Sequence, residues 1–176
     1  MSQVNCLLDT GIGRICKENT PGVQEIYLAN FDSDVTYATD ANNVITGYTG
    51  TVEWYKFEFP RNTASFTETL AGVPENDEVT YQEMVSMVFN KRDAQKRNLM
   101  LLLAKATTVA IVKDKNGLYT LVGKESGLDL STGTNGTGAA PGERNGYSFE
   151  FSGTEGDAAP FITFAAFSAD IETAQI

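Results

Sequence analysis

The stretch Thr108-Val109-Ala110-Ile111-Val112, Asp114-Lys115-Asn116-Gly117, Leu118-Tyr119-Thr120-Leu121-Val122 decides the fold class. Two runs of β-branched and apolar residues flank an Asn-Gly pair. That pair marks a hairpin turn, in which both central positions are expected to adopt positive φ. The chain is therefore read first as an antiparallel β protein, and the remaining segments are judged by whether they add strands to that hairpin.

Upstream, Lys91 to Ala104 has helix formers and neither Gly nor Pro, with Asn90 as the expected N-cap and Asp93 as its capping-box partner. Its second half, Leu99-Met100-Leu101-Leu102-Leu103-Ala104, is apolar all round, which predicts a helix buried on more than one side, across a sheet face. Before it, Ser65 to Leu70 and Val79 to Phe89 alternate in period two, and a polar segment with Gly72, Pro74, Asn76 and Asp77 lies between them. These runs read as a long hairpin with Val79, Tyr81, Glu83, Val85, Met87 and Phe89 on one face. Long hairpins of this kind reach neighbouring subunits, although an ordinary sheet connection is the simpler account. Further strands are expected at Thr51–Phe59 (ended by Pro60), Val44–Thr46 and Val23–Leu28.

Downstream, Gly133 to Gly146 carries five glycines, Gly138 among them. A glycine-rich loop of this length is expected to be functional or ordered by a partner. Tyr147–Ser152 closes the β set. From Asp157 to the end the chain has no Lys or Arg but has Phe161, Ile162, Phe164, Phe167 and Ile171, apolar side chains that need burial somewhere. The sum is about eight strands and one helix. The fold expected is mainly β, an antiparallel sandwich or barrel with one flanking helix. A 1–22 N-terminal arm, a 23–156 β domain with helix 91–104, and a 157–176 C-terminal arm make up the chain.

Composition narrows the function. At 176 residues the length suits one core, and 41% apolar against 20% charged residues excludes intrinsic disorder. Lys and Arg total 13 against 23 Asp and Glu, a net charge of −10, which leaves no basic surplus for a free-standing nucleic-acid binder. Histidine is absent, which removes Ser-His-Asp and Cys-His catalysis and His-ligated zinc. No signal peptide and no long apolar span is read, so a cytoplasmic setting without membrane partners is expected, with Cys6 and Cys16 as free thiols.

Individual motifs fail on context. Asp9-Thr10-Gly11 matches the loop of aspartic proteases, but no bracing strand accompanies it and it reads as a turn. Gly117 to Lys124 differs from a phosphate loop in spacing, and Glu125 stands where a Mg²⁺-binding hydroxyl is needed. Asp32, Asp34 and Asp40 lack the glycine and terminal glutamate of a calcium loop. No catalytic, metal or cofactor residue is expected. The positive feature is Lys91, Arg92, Lys96 and Arg97, either a solvated helix face or a patch complementary to an acidic surface on another copy. Residues 1–90 hold 13 acids and 4 bases, whereas 91–176 hold 10 and 9, a division that favours head-to-tail contacts.

Several segments resemble tail-tube-like virion structural proteins of tailed bacteriophages of Bacteroides-type hosts. They are Ser65-Phe66-Thr67-Glu68-Thr69, Lys91 to Asn98, Ala110 to Tyr119, Gly123-Lys124-Glu125-Ser126-Gly127-Leu128 and Gly142 to Gly153, with Cys6-Leu7-Leu8 and Gln24 to Asn30. The resemblance implies a non-enzymatic virion protein, assembled in the host cytoplasm with itself and other tail or connector proteins. Its six-fold or twelve-fold rings would stack into a tail tube through which DNA passes without specific binding. A ring or connector protein of a short tail is the alternative, and a capsid decoration module a more distant one. Lys91, Arg92, Lys96, Arg97, Phe161, Phe164, Phe167, Gly133 and Gly138 are the inter-subunit candidates.

Overall fold

The structure is a computed structural model that describes residues 10–14, 18–73 and 78–172. Asp9, Cys6, Cys16 and the hairpin tip at Pro74, Asn76 and Asp77 lie outside the described residues. The chain is mainly β, a sandwich of two sheets that do not close into a barrel, with a flanking helix.

The strands are β1 (Val23–Asn30), β2 (Thr36–Thr39), β3 (Ile45–Thr49), β4 (Trp54–Phe57), β5 (Ser65–Val73), β6 (Glu78–Asn90), β7 (Thr108–Asp114), β8 (Tyr119–Val122), β9 (Asp129–Gly136), β10 (Gly146–Glu155) and β11 (Ile171–Glu172). Helix α1 (Ala94–Leu103) joins β6 to β7, and the one-turn α2 (Phe164–Phe167) precedes β11. One sheet has the order β11-β4-β1-β7-β8, the other β5-β6-β10-β9, and β2–β3 is a separate ribbon. Apart from the short parallel β11–β4 pair, every named pairing is antiparallel.

Alternation explains the layering. In β1 and β7, Ile26, Leu28, Ala110 and Val112 point into a core shared with Val85, Met87, Phe149 and Phe151 of the second sheet. Their neighbours Tyr27, Ala29, Val109 and Ile111 point the other way, into a second core with Trp54, Ile45, Ile162 and Phe167. The five-stranded sheet is thus covered on both faces, which is why Ile26-Tyr27-Leu28-Ala29 and Val109 to Val112 are continuously buried. The third layer is the β2–β3 ribbon together with the C-terminal segment. Trp54 donates its indole N–H to the Tyr48 hydroxyl (2.9 Å), which donates in turn to Asp170 (2.6 Å), tying that layer to the sheet.

Several sequence expectations need correction. Thr51–Phe59 narrows to Trp54–Phe57, and the strand expected at Val44–Thr46 is Ile45–Thr49, paired with Thr36–Thr39, for which no strand was expected. In the Asn116-Gly117 turn only Gly117 has positive φ (88°). The Gly117 N–H reaches the Asp114 carbonyl and the Asp114 N–H the Leu118 carbonyl. The connection is therefore a three-residue loop with its glycine in the left-handed region. Asn90 is not an N-cap, because it is still the last residue of β6, paired with Gly146. The chain turns at Lys91 (φ 65°), and the helix starts after Asp93, whose side chain makes no capping bond.

The helix is not buried on several sides either. Leu103, four positions after Leu99 and three after Met100, meets the core with them, whereas Leu101 and Leu102 are 47% and 66% exposed. The glycine-rich stretch is partly strand. Gly133 sits in β9 opposite Phe149, which leaves 137–145 as the loop. Glu143 orders that loop internally by accepting the Ala139 and Ala140 N–H groups, which holds its carboxyl below the usual range. Finally, the C-terminal segment is not a detached arm up to residue 172: its Ile162 N–H bonds to the Tyr119 carbonyl, and Phe167 is fully buried.

Candidate functional site

Two arrangements stand out: a groove beside α1 and a pair of buried carboxylates under the 123–128 loop.

The groove, of about 760 Å³, opens where α1, the C-terminal end of β4 and the ends of β6 and β10 meet. Its walls are Phe57, Phe59, Phe89, Phe149, Leu99 and Leu102, so it is an apolar cleft continuous with the inter-sheet core. Lys96 also lines it. The half-buried ammonium donates to the carbonyls of Asn90 (3.1 Å) and Lys91 (3.4 Å), held there because Lys91's left-handed turn brings both carbonyls toward the first turn of α1. Lys91, Arg92 and Arg97 are exposed and do not line the groove. Among the described residues none of these four cations has a carboxylate within salt-bridge distance. The described salt bridges instead gather Lys56 (3.2 Å) and Lys113 (3.3 Å) on Glu25, and Lys56 on Glu58.

The other sequence candidates scatter. Phe161 and Phe164 are 47% and 48% exposed and sit at the β8 edge: Phe161 bridges to Thr120, and the Phe164 ring lies 5.6 Å from that of Tyr119. Phe167, expected at an inter-subunit contact, is instead core: its ring is enclosed by Tyr27, Trp54, Tyr119 and Phe164 at 5.4 to 6.1 Å. Gly133 lies within β9, and Gly138 (φ 67°) shapes the 137–145 loop. The structure thus sets Lys96 with Leu102 on the groove wall and places Phe161 and Phe164 beside β8.

The buried carboxylates are Glu83 of β6 and Glu155 of β10, 1% and 3% exposed. Register explains both. Glu83 occupies the inward position between Tyr81 and Val85, and Glu155 the inward position after Phe149, Phe151 and Gly153; opposite them stand Gly153 and Tyr81. Each carboxylate holds the 123–128 loop. Glu83 accepts the Gly123 N–H (2.6 Å), and Glu155 accepts those of Glu125 (2.9 Å) and Ser126 (3.0 Å). The loop lies so close to β10 that a Cβ on Gly153 would stand 2.5 Å from the Gly127 carbonyl oxygen. Burial, reinforced by the negative charges of Glu155 and Glu68, pushes the Glu83 carboxyl up to about 7, against the opposing pull of the Gly123 N–H. A carboxyl tuned to neutrality has the acidity of a proton-transfer group. Here, however, its environment is the packed interior and its bond goes to the backbone, so the pair anchors a loop. Sequence reasoning placed Glu83 on an otherwise apolar strand face, and that misplaced charge was the signal for it.

Among the described residues no group of three or more His, Cys, Asp or Glu side chains is placed to hold a metal ion, and no helix is long and apolar enough to cross a membrane. No protein-family model, curated protein or solved structure matches this chain.

Proposed function

We propose that this protein is a structural virion protein of a tailed bacteriophage that self-assembles into rings forming the tail tube. The observation that carries the reading is the β5–β6 hairpin. Its strands stay paired from Ser65↔Ser86 to Val73↔Glu78, beyond the point where the second layer covers them. Phe66 and Val85 lie under the sandwich, but on the same face farther along Leu70 and Val79 are 61% and 50% exposed. A core-side face that continues past its own core is suited to another subunit, and ring closure would cover the β5 edge that an isolated copy leaves open. The net charge of −10 supports the second part of the reading, since an acidic bore repels phosphates and lets DNA slide without binding. The mainly β sandwich with one helix is compatible with both parts.

The test is light scattering coupled to size-exclusion chromatography, followed by negative-stain imaging of the purified protein over a range of concentrations and salt. Rings or stacked tubes with a central hole are expected. A single-chain species under all conditions, or a bore lined by Lys and Arg, overturns the proposal.

A further inference from the structure

The chain holds three Asn-Gly pairs, at 116–117, 135–136 and 145–146. Such a pair carries its own chemistry, because glycine leaves the backbone nitrogen after the asparagine open to close approach. That nitrogen attacks the asparagine Cγ and closes a cyclic imide. The Cγ–Nδ2 bond breaks, and the proton of the attacking nitrogen leaves with Nδ2 as ammonia. Water then opens the ring to aspartate or isoaspartate. The step needs a side-chain amide free to rotate and a backbone nitrogen free to attack, so the fold decides which pair reacts. Gly136 and Gly146 face each other in the β9–β10 ladder, and a Cβ on Gly146 would meet the Phe89 carbonyl oxygen at 2.0 Å. Asn116-Gly117 instead lies in the exposed loop between β7 and β8, with nothing within 4 Å of a Gly117 Cβ.

What restrains this pair is a neighbouring segment. Asn116 Oδ1 accepts the Thr20 N–H (2.9 Å), and Nδ2 donates to Asn19 Oδ1 (2.9 Å) and to Asp114 Oδ2 (3.3 Å). The described hydrogen bonds from Asn19 and Thr20 to the β7–β8 hairpin both end on this one side chain. The Gly117 N–H is engaged as well, by the Asp114 carbonyl at 3.2 Å. Turning Cγ toward that nitrogen breaks the bonds to Asn19 and Thr20, whereas Gly22 stays tied through its carbonyl to the Lys115 N–H (3.0 Å). We propose that Asn116 is a deamidation site guarded by the docking of Asn19 and Thr20, and that it reacts in chains from which these two residues have lifted. Both are exposed, and opening an exposed segment takes far less than global unfolding, so the reaction proceeds in an otherwise folded chain. In the aspartate product a carboxylate oxygen replaces Nδ2 opposite Asp114, and a hydrogen bond becomes a contact between like charges. The reaction takes place within one chain and is independent of self-assembly.

Peptide mapping by mass spectrometry counts aspartate and isoaspartate at each asparagine after the purified chain is incubated at mildly alkaline pH. In guanidinium chloride the three pairs are expected to react at similar rates, which sets the unguarded reference. In the folded wild type Asn116 is expected to react more slowly than in that reference. Asn19→Ala removes the partner of Nδ2, and Thr20→Pro removes the N–H given to Oδ1. Both positions are exposed, and far-UV circular dichroism is expected to show the fold retained. In either variant deamidation at Asn116 is expected to rise roughly fivefold, the factor by which one lost neutral hydrogen bond raises the open population. Asn135 and Asn145 are expected to react as in the wild type. A folded wild-type rate at Asn116 equal to the reference, or equal rates there in wild type and both folded variants, overturns the guard. Faster conversion at Asn135 or Asn145 than at Asn116 in the variants overturns the choice of site.

Discussion

Replacing Glu83 by Gln changes how stability depends on pH. In the folded chain the Glu83 carboxyl keeps its proton up to about pH 7, because it is buried and faces the charges of Glu155 and Glu68; its ordinary value is 4.5. Between those two values the unfolded chain has lost that proton and the native chain still holds it. The unfolded state therefore binds fewer protons, and unfolding free energy falls as pH rises through this window. Below the window both states are protonated and the contribution is flat. At about 1.4 kcal/mol per tenfold change in proton affinity, and allowing for relaxation of the neighbouring carboxylates, the decline owed to Glu83 between pH 5 and pH 8 is about 2–3 kcal/mol. Glu83→Gln keeps the volume and the oxygen that accepts the Gly123 N–H, and it has no charge to expose. Urea unfolding of wild type and variant at pH 5 and pH 8, at one dilute protein concentration, measures the difference. The variant is expected to gain about 2–3 kcal/mol on the wild type over that interval, or roughly 5–10 °C in Tm for a chain of this size. Equal pH dependence in the two proteins refutes the argument and shows that Glu83 is ionised without cost in the native state.

Two further outcomes separate core from surface. Leu103→Ala is expected to cost roughly 2–4 kcal/mol, because the side chain is 7% exposed in the inter-sheet core; Leu102→Ala, at 66% exposed, should change stability by less than about 0.5 kcal/mol. Equal effects in urea unfolding would mean that α1 is rotated from the orientation described. Phe167→Ala is expected to cost about 3–5 kcal/mol, as a fully buried ring packed on Tyr27 and Trp54, with loss of near-ultraviolet circular dichroism from the tryptophan environment. A variant as stable as wild type would show that the C-terminal segment is dispensable to the fold.

Local periodicity determined much of this protein. The β5–β6 and β7–β8 hairpins, β10, the position of the helix and the mainly β class were all legible, because alternation along a strand and turn residues between strands are properties of neighbouring positions. The inward charge at Glu83 was legible too, as a break in that alternation. What covers each face was not. The run Leu99 to Ala104 states that part of α1 is apolar, but only the direction from which the sheets approach decides that Leu103 is core and Leu102 is surface. The same holds for the C-terminal segment. Phe161, Phe164 and Phe167 are alike in sequence, yet the five-stranded sheet has a second face to be filled, and it takes Phe167 while leaving the other two at its edge. Glu155 became a loop anchor only because register set it diagonally across from Glu83 beneath Gly123 to Ser126. Chain-local forces select strands and turns; burial is a contest among surfaces far apart in the chain, and three-dimensional packing alone settles which side chains win it.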